Sequence, residues 1–279
     1  MLHIAVRATG NTVAFLDYMD TIGLSYISGS HGFLGSRLQR SLTGEVTCLN
    51  HAILPTVTLK PFENFYFLST YGNMYSHDNI EKVIQANLYD LIPIISQASQ
   101  IPFKSFVFMS TSSVKLDYQT TYSRMKHAAE EILLTYMEKF NLPICIVRPL
   151  SITGVGEQKE HLIPSLIRSC MTGEHIDFVP GAVHDFIDVE DVVSAILNLS
   201  EASARGIFEV GWGKRYSNSE VLELVETITG KKANITKVES MRPYDNYAWQ
   251  STNFKARSWG WLPTKLLSQS IKEMVENYE

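Results

Sequence analysis

Tyr122 and Lys126, in "TYSRMK", stand four residues apart, the spacing at which two side chains share one helix face. A free phenol gives up its proton only near about pH 10. An ammonium beside it favours the phenolate, so the pair can serve as a general acid/base nearer neutrality. Just upstream, "FVFMSTSSV" ends an apolar strand pattern in a run of hydroxyls. In an open parallel sheet, ligands bind beyond the carboxyl ends of the strands, where such a hydroxyl can hydrogen-bond a substrate oxygen. The third feature is "YISGSHGFLGSRL", in which Gly29, Gly32 and Gly35 recur between a short apolar run and a helix-like segment. Glycines there allow the backbone to approach a phosphate closely, and the start of a helix offers free N–H groups to it. The spacing is G-x-x-G-x-x-G rather than G-x-G-x-x-G. Alone, the loop reads equally as a phosphate cradle or as a glycine-rich turn.

These groups need a frame, and residues 24 to 150 alternate between strand and helix patterns. "LSYIS", "EVTCLN", "TVTL", "NFYFLST", "SFVFMS" and "PICIVRP" read as strands. The helical patterns are a segment near Phe33–Ser41, "IEKVIQANLYDLIPIISQAS" with a kink expected at Pro93, and "TYSRMKHAAEEILLTYMEKF". Near-continuous apolar strands separated by helices predict a parallel sheet covered on both faces. Farther on, "HLIPSLIRSCMTG" predicts a helix closed by glycine. "VHDFIDVEDVVSAILNLS" predicts a strand leading into a helix, and "GIFEVG" a strand. "SNSEVLELVETITGK" opens with the capping box Ser217-x-x-Glu220 and stops at Gly230. The expected fold is α/β: a doubly wound parallel sheet with a smaller C-terminal α/β lobe. The first domain spans 24–150, with about 183–211 returning to it, and the lobe takes most of 151–279. Residues 1–23 read as an N-terminal extension, an edge element or a subunit contact.

The composition narrows the function. The 279 residues carry a formal net charge of -5 and no basic block, which argues against a nucleic-acid surface. Cys48, Cys145 and Cys170 lie far apart without a CxxC pair, so buried thiols in a reducing cytoplasm are expected. The start lacks the order of a signal peptide and no apolar run approaches a membrane span. No His/Cys/Asp cluster has metal-ligand spacing, and no G-x-S-x-G elbow is present.

Taken in order, "YISGSHGFLGSRL", "FVFMSTSSV", "YSRMK", "IVRPLSITGVG", "HDFIDVEDVVSAIL" and "RPYDNY...WGWLP" resemble the extended short-chain dehydrogenases/reductases. The likeness is to the NAD-dependent epimerase/dehydratase family that acts on nucleotide sugars, and it covers about Leu24 to the C-terminus. It implies an NAD(P)-binding Rossmann domain and a sugar-nucleotide lobe. By position it makes Thr111 the catalytic hydroxyl with Ser112 behind it, Tyr122 the acid/base, and Lys126 the group that tunes the phenol and holds the nicotinamide ribose. Gly29, Gly32, Phe33, Leu34, Gly35, Asn50, Ser69, Thr70 and Asn87 fall at cofactor positions. Ser112, Ser151, His184 and Arg242 fall at substrate positions, Arg242 on the diphosphate. A homodimer through the helices of Ile80 and Tyr122 is the family's habit.

The chain departs from that pattern in several places. Where NAD users of the family carry an Asp for the adenosine ribose, "CLNH" offers Asn50 and His51. Losing the carboxylate removes repulsion against a 2′-phosphate and mildly favours NADP. The link between "CLN" and "FYFLST" is short, so a helix usual there is expected to be reduced or missing. His184 replaces an Arg and Ser151 an Asn. "STSSV" lacks the Asp-Glu pair of the 4,6-dehydratases, which disfavours elimination. The resemblance therefore implies an epimerase working through a keto-sugar, with an NADPH-dependent keto-sugar nucleotide reductase as the alternative. A non-catalytic NADP-binding sensor or scaffold is a further one.

Overall fold

The computed structural model describes residues 23–74, 77, 79–240 and 249–278. The expected 1–23 extension, apart from Gly23, and Arg242 lie outside them. A six-stranded sheet runs in the order β2-β1-β3-β4-β5-β9. Its strands are β1 (Leu24–Ser28), β2 (Glu45–Leu49), β3 (Phe62–Phe67), β4 (Phe103–Met109), β5 (Ile144–Pro149) and β9 (Gly206–Val210). β1 pairs parallel with β2 and β3, and β3 parallel with β4. With the intervening helices, this is the Rossmann-like α/β fold expected.

The chain forms two compact units. The first holds the described residues up to Met109, with Thr121–Ile146 and Ser200–Gly206. Its core is an aromatic ladder across register-matched strands. Tyr26 stacks on Phe65 at 5.7 Å, and Phe65 on Phe106 at 5.0 Å between ring centres. Cross-strand aromatic pairs fix register because a slip by one residue would turn every ring to the other face. α1 (Phe33–Ser41) follows the glycine loop, and α4 (Thr121–Phe140) carries Tyr122 and Lys126.

Two local expectations fail for identifiable reasons. "TVTL" is not a strand: residues 51–56 are turns and 57–61 carry no regular element. Gln97 holds this short link instead, its Oε1 accepting from the Leu59 N–H and its Nε2 donating to the Val57 carbonyl. A helix between β2 and β3 is accordingly missing. The long helix does break, but not at Pro93. α2 (Ile80–Ile84) runs into a π-helical turn at Gln85–Tyr89 and then α3 (Leu91–Ala98). Pro93 sits in the first turn of α3, where its missing N–H has no helical partner to lose.

The second unit holds Ser110–Thr120, Val147–Leu199 and the described residues from Ile207 onward. β6 (Ser151–Thr153), β8 (Val183–Asp188) and β10 (Arg215–Ser217) form a three-stranded sheet, and β7 (Ile176–Phe178) pairs with β11 (Ile235–Lys237). α5 (Leu162–Thr172), α7 (Asn218–Thr229) and α8 (Leu267–Glu276) bury Leu166, Ile167, Val221, Val225 and Ile271 around Phe178 and Phe186. α5 ends at Gly173 in the left-handed region, φ 77°, as expected of its glycine stop. α6 (Val189–Glu201) follows β8 directly.

Cys145 and Cys170 are buried, as expected; Cys48, on the edge strand β2, is only half-buried. Edge position explains the difference, since among the described strands β2 has a neighbour on one side only.

Candidate active site

In the first unit the loop after β1 is built so that only glycine fits at two of its three positions. Gly29 has φ +75°, and a Cβ there would lie 2.9 Å from the Ser69 backbone nitrogen. A Cβ on Gly35 would stand 2.0 Å from the Gly29 carbonyl oxygen, an impossible contact. Gly32 is different. Its φ is -73°, it occupies the N-cap of α1, and no side chain caps that helix. No acidic residue sits in the first turn either. The backbone of Phe33, Leu34 and Gly35 thus presents a helix start with no competing carboxylate, which suits an anionic phosphate.

The edge beyond β3 is tied to the same unit. The Ser69 N–H donates to Ser28 Oγ at 3.3 Å, joining the ends of β3 and β1. Asn87 is fully buried in the π-helical turn. Its Nδ2 donates to the carbonyls of Tyr71 at 2.6 Å and Val83 at 2.8 Å, and its Oδ1 accepts from Thr70 Oγ1 at 2.9 Å. Asn87 therefore pins the loop after β3, and the extra residue of a π-turn supplies the reach.

Tyr122 and Lys126 share one face of α4, with Lys126 Nζ 6.0 Å from the centre of the phenol ring. Lys126 is 1% exposed and donates to the Met109 carbonyl at 2.8 Å. Burial pulls its ammonium down to about 7, against the opposing charge of Glu130. Burial thus weakens the ammonium that spacing alone implies.

Asn50 and His51 follow β2. Asn50 Oδ1 accepts from the N–H groups of Ala52 and Ile53 at 2.9 and 3.1 Å and so shapes the turn. His51 Nδ1 lies 2.7 Å from Oδ2 of the fully buried Asp90, whose Oδ1 accepts from Gln85 Nε2 at 2.6 Å. Asp90 escaped the sequence reading, although a lone acid inside the apolar "NLYDLIPII" is a visible anomaly.

In the second unit Thr111 caps a 3₁₀ turn, Ser112–Lys115, accepting from the Ser113 N–H at 3.2 Å with Ser113 Oγ 3.0 Å away. Its polar neighbour is thus Ser113, not Ser112. Ser151 Oγ is 3.4 Å from His184 Nδ1, and the His184 ring lies parallel to Trp249 at 6.4 Å. Beside His184, buried Asp185 accepts from the N–H groups of Trp212, Gly213 and Ser251 and from Ser251 Oγ. Burial pushes its carboxyl up, and these donors oppose that. Asp188 accepts from Ser270 Oγ at 2.6 Å, and Asp191 from Thr264 and Lys265. These acids fasten loops and the C-terminal helix. Among the described residues no cluster of His, Cys, Asp and Glu suits a metal, and no helix is long and apolar enough to cross a membrane.

Residues 58–211, more than half of the chain, match the NAD dependent epimerase/dehydratase family. A low-salt glycan biosynthesis protein, Agl12, of Haloferax volcanii is 30% identical over 162 residues, 56% of this chain and 52% of that protein. The chain thus spans about half of that relative's length. Among solved structures, MoeE5 in complex with UDP-glucose and NAD superposes with a TM-score of 0.80 at 20% identity, covering 91% of this chain and 98% of the other. RMD from Pseudomonas aeruginosa complexed with NADPH gives 0.77 at 18% identity, with coverages of 91% and 98%. At such identities the likeness is one of fold.

Proposed function

The chain belongs to the NAD dependent epimerase/dehydratase family, and on that footing we propose that it moves hydride between a nicotinamide cofactor and a carbon of a nucleotide-activated sugar, with epimerisation as the net reaction. The observation that carries this reading is Lys126, buried and drawn to about 7 beside Tyr122 on α4. Burying a lysine is costly to the fold and is kept where it serves chemistry. When bound, the dinucleotide supplies the hydride donor and acceptor. Tyr122 takes the proton of the sugar hydroxyl as that carbon is oxidised and returns it when the keto-sugar is reduced on the other face. Lys126 sets the phenol's acidity and binds the nicotinamide ribose. Thr111 orients the reacting oxygen, with Ser112 as its understudy toward the substrate. Gly29, Gly32, Phe33, Leu34 and Gly35 cradle the pyrophosphate, while Ser69, Thr70 and Asn87 border the cofactor and Asn50 its adenosine end. Ser151, His184 and Arg242 serve the sugar nucleotide.

NADP is the favoured cofactor, because Asn50 puts no carboxylate against a 2′-phosphate. That same observation supports the second reading, an NADPH-dependent keto-sugar nucleotide reductase. Dimerisation runs through the helices of Ile80 and Tyr122, and the exposed Ile80, Tyr89 and Ile92 support it.

The test is mass analysis of whatever the purified protein releases on denaturation, followed by turnover of a panel of sugar nucleotides. Retained cofactor with interconversion of epimers supports the epimerase. Stoichiometric NADPH consumption on a keto-sugar nucleotide supports the reductase. Cofactor binding without any turnover removes both. Tyr122→Phe should lower kcat by about 10²–10⁴-fold while cofactor affinity, read by titration, stays put; a smaller loss removes Tyr122 from proton transfer.

A further inference from the structure

The loop after β3 packs against the start of α4, and one imidazole ties it in place. We propose that His77 is a positioning residue: by holding the peptide between Tyr71 and Gly72, it sets where the phenol of Tyr122 stands. This rests on the reading of Tyr122 as the acid/base.

Tyr122 is the second residue of α4. The first turn is where a helix is least held by its own hydrogen bonds, so its neighbours decide where that side chain sits. Gly72 is such a neighbour. Its φ is +100°, and a Cβ on it would lie 2.8 Å from Val83 Cγ2 on α2 and 3.5 Å from Tyr122 Cβ. Bare backbone therefore fits between α2 and α4 where a side chain would not. A shift of Gly72 is felt directly at Tyr122 Cβ.

Two side chains fix that backbone. Asn87 Nδ2 donates to the Tyr71 carbonyl at 2.6 Å, and the Gly72 N–H donates to His77 Nδ1 at 3.3 Å. Both bonds fall on one peptide group, one on its oxygen and one on its N–H. A peptide is planar, so holding both polar ends fixes its orientation and, with it, Gly72 against Tyr122. Asn87 belongs to the pattern that the resemblance names, whereas His77 lies outside it. An Nδ1 that accepts from a backbone N–H carries no proton, so the ring is the tautomer with its hydrogen on Nε2. The His77 ring also stacks on Tyr71, 4.4 Å between centres and 12° between planes. Its own N–H donates to the Met74 carbonyl at 3.0 Å. Two residues on, Asn79 caps α2 by accepting from the Lys82 N–H at 2.9 Å. His77 thus supplies two separable things, an acceptor for Gly72 and a flat partner for Tyr71.

The experiment compares His77→Ala, His77→Asn and His77→Phe with wild type on whichever sugar nucleotide wild type turns over. A misplacement of about 1 Å at a reacting group can cost about 10²-fold. Loss of one of the two anchors should cost less, so His77→Ala should lower kcat by about tenfold. The KM for the sugar nucleotide and the cofactor affinity, read by calorimetric titration, should stay within about twofold. His77→Asn offers an amide oxygen to the Gly72 N–H and should return kcat to within about threefold. His77→Phe keeps the stack but has no acceptor, and should stay at least about fivefold down. A second readout needs no turnover. The NMR signal of ring-labelled Tyr122, identified by its loss in Tyr122→Phe, should move in His77→Ala and return in His77→Asn. Thermal melting checks folding, and if His77→Ala melts early, His77→Phe is judged by the same criteria. An unchanged kcat, an unmoved Tyr122 signal, or a kcat loss matched by an equal loss of cofactor affinity overturns the proposal. If wild type turns over no sugar nucleotide, the enzyme reading falls, and the Tyr122 signal alone decides whether His77 positions the phenol.

Discussion

At the start of α7, Ser217 Oγ accepts from the Glu220 N–H while the Glu220 carboxylate accepts from the Ser217 N–H. At the start of α1, Gly32 has no side chain to offer. The contrast extends to the charged groups of the two units. In the second, the carboxylates of Asp185, Asp188 and Asp191 are met by donors of the chain itself. In the first, Lys126 is buried, donating to the Met109 carbonyl over the Phe108 ring, and burial draws its charge down against the opposing charge of Glu130. These three carboxylates of the second unit are satisfied by the chain itself and stabilise it. On the proposed reading, the helix start and the lysine of the first unit are in states that a bound anion and a ribose would improve.

The sharpest way to break this contrast is Asp185→Ala. The change strands the N–H groups of Trp212, Gly213 and Ser251 in a buried setting, and should cost about 3–5 kcal/mol of folding stability. Urea unfolding measures it. A loss below about 1 kcal/mol would mean that the acids of the second unit are not fasteners, and the comparison would lose one side.

Lys126→Met tests the other side and should have the opposite sign. Its folded value of about 7 lies below the ordinary 10.5. Between those values the unfolded chain binds a proton that the folded chain does not, so wild-type stability should fall as pH drops from about 10.5 to about 7 and level off below. Methionine removes that slope. At pH 7 the variant should be more stable by on the order of 1–3 kcal/mol while losing turnover and cofactor affinity. Unfolding midpoints near neutrality and in mild alkali decide it; parallel pH slopes for wild type and variant would place the lysine's charge beyond the reach of burial.

These contrasts were only partly legible in the chain. The sheet, the capping box at Ser217 and the glycine stop at Gly173 follow from local pattern, since alternation, caps and left-handed glycines are short-range physics. The pairing of Tyr122 with Lys126 follows from helix geometry. What the chain does not display is contact across sequence: Asp90 under His51, and Gln97 holding the link that replaces a helix. "TVTL" has strand composition, but Val57 and Leu59 give their backbone groups to Gln97 rather than to a neighbouring strand. Propensity lost to a side chain from a distant helix, which no window on the local sequence contains.

The smallest effects set the two helix starts directly against each other. Ser217→Ala removes a side-chain cap and should cost about 1 kcal/mol in stability without touching nucleotide binding. Gly32→Ser adds a hydroxyl where a cap would go. A Cβ at that position meets only the Gly29 oxygen, at 3.3 Å, a tight contact that a slight shift relieves, and Gly to Ser at an N-cap changes stability by only a few tenths, about 0.3 kcal/mol. On the proposed reading its effect on ligands should be far larger, because the hydroxyl takes up an N–H that would otherwise face the pyrophosphate. Adenosine 5′-diphosphate should bind the variant at least about tenfold more weakly, read by the same titration, with the melting temperature nearly unmoved. Gly32 would then be spared a side chain for the ligand's sake, whereas Gly35, whose Cβ would strike the loop's own carbonyl, is glycine for the sake of the loop. Equal losses of stability and affinity in Gly32→Ser would erase that distinction and leave the glycine loop as a turn alone.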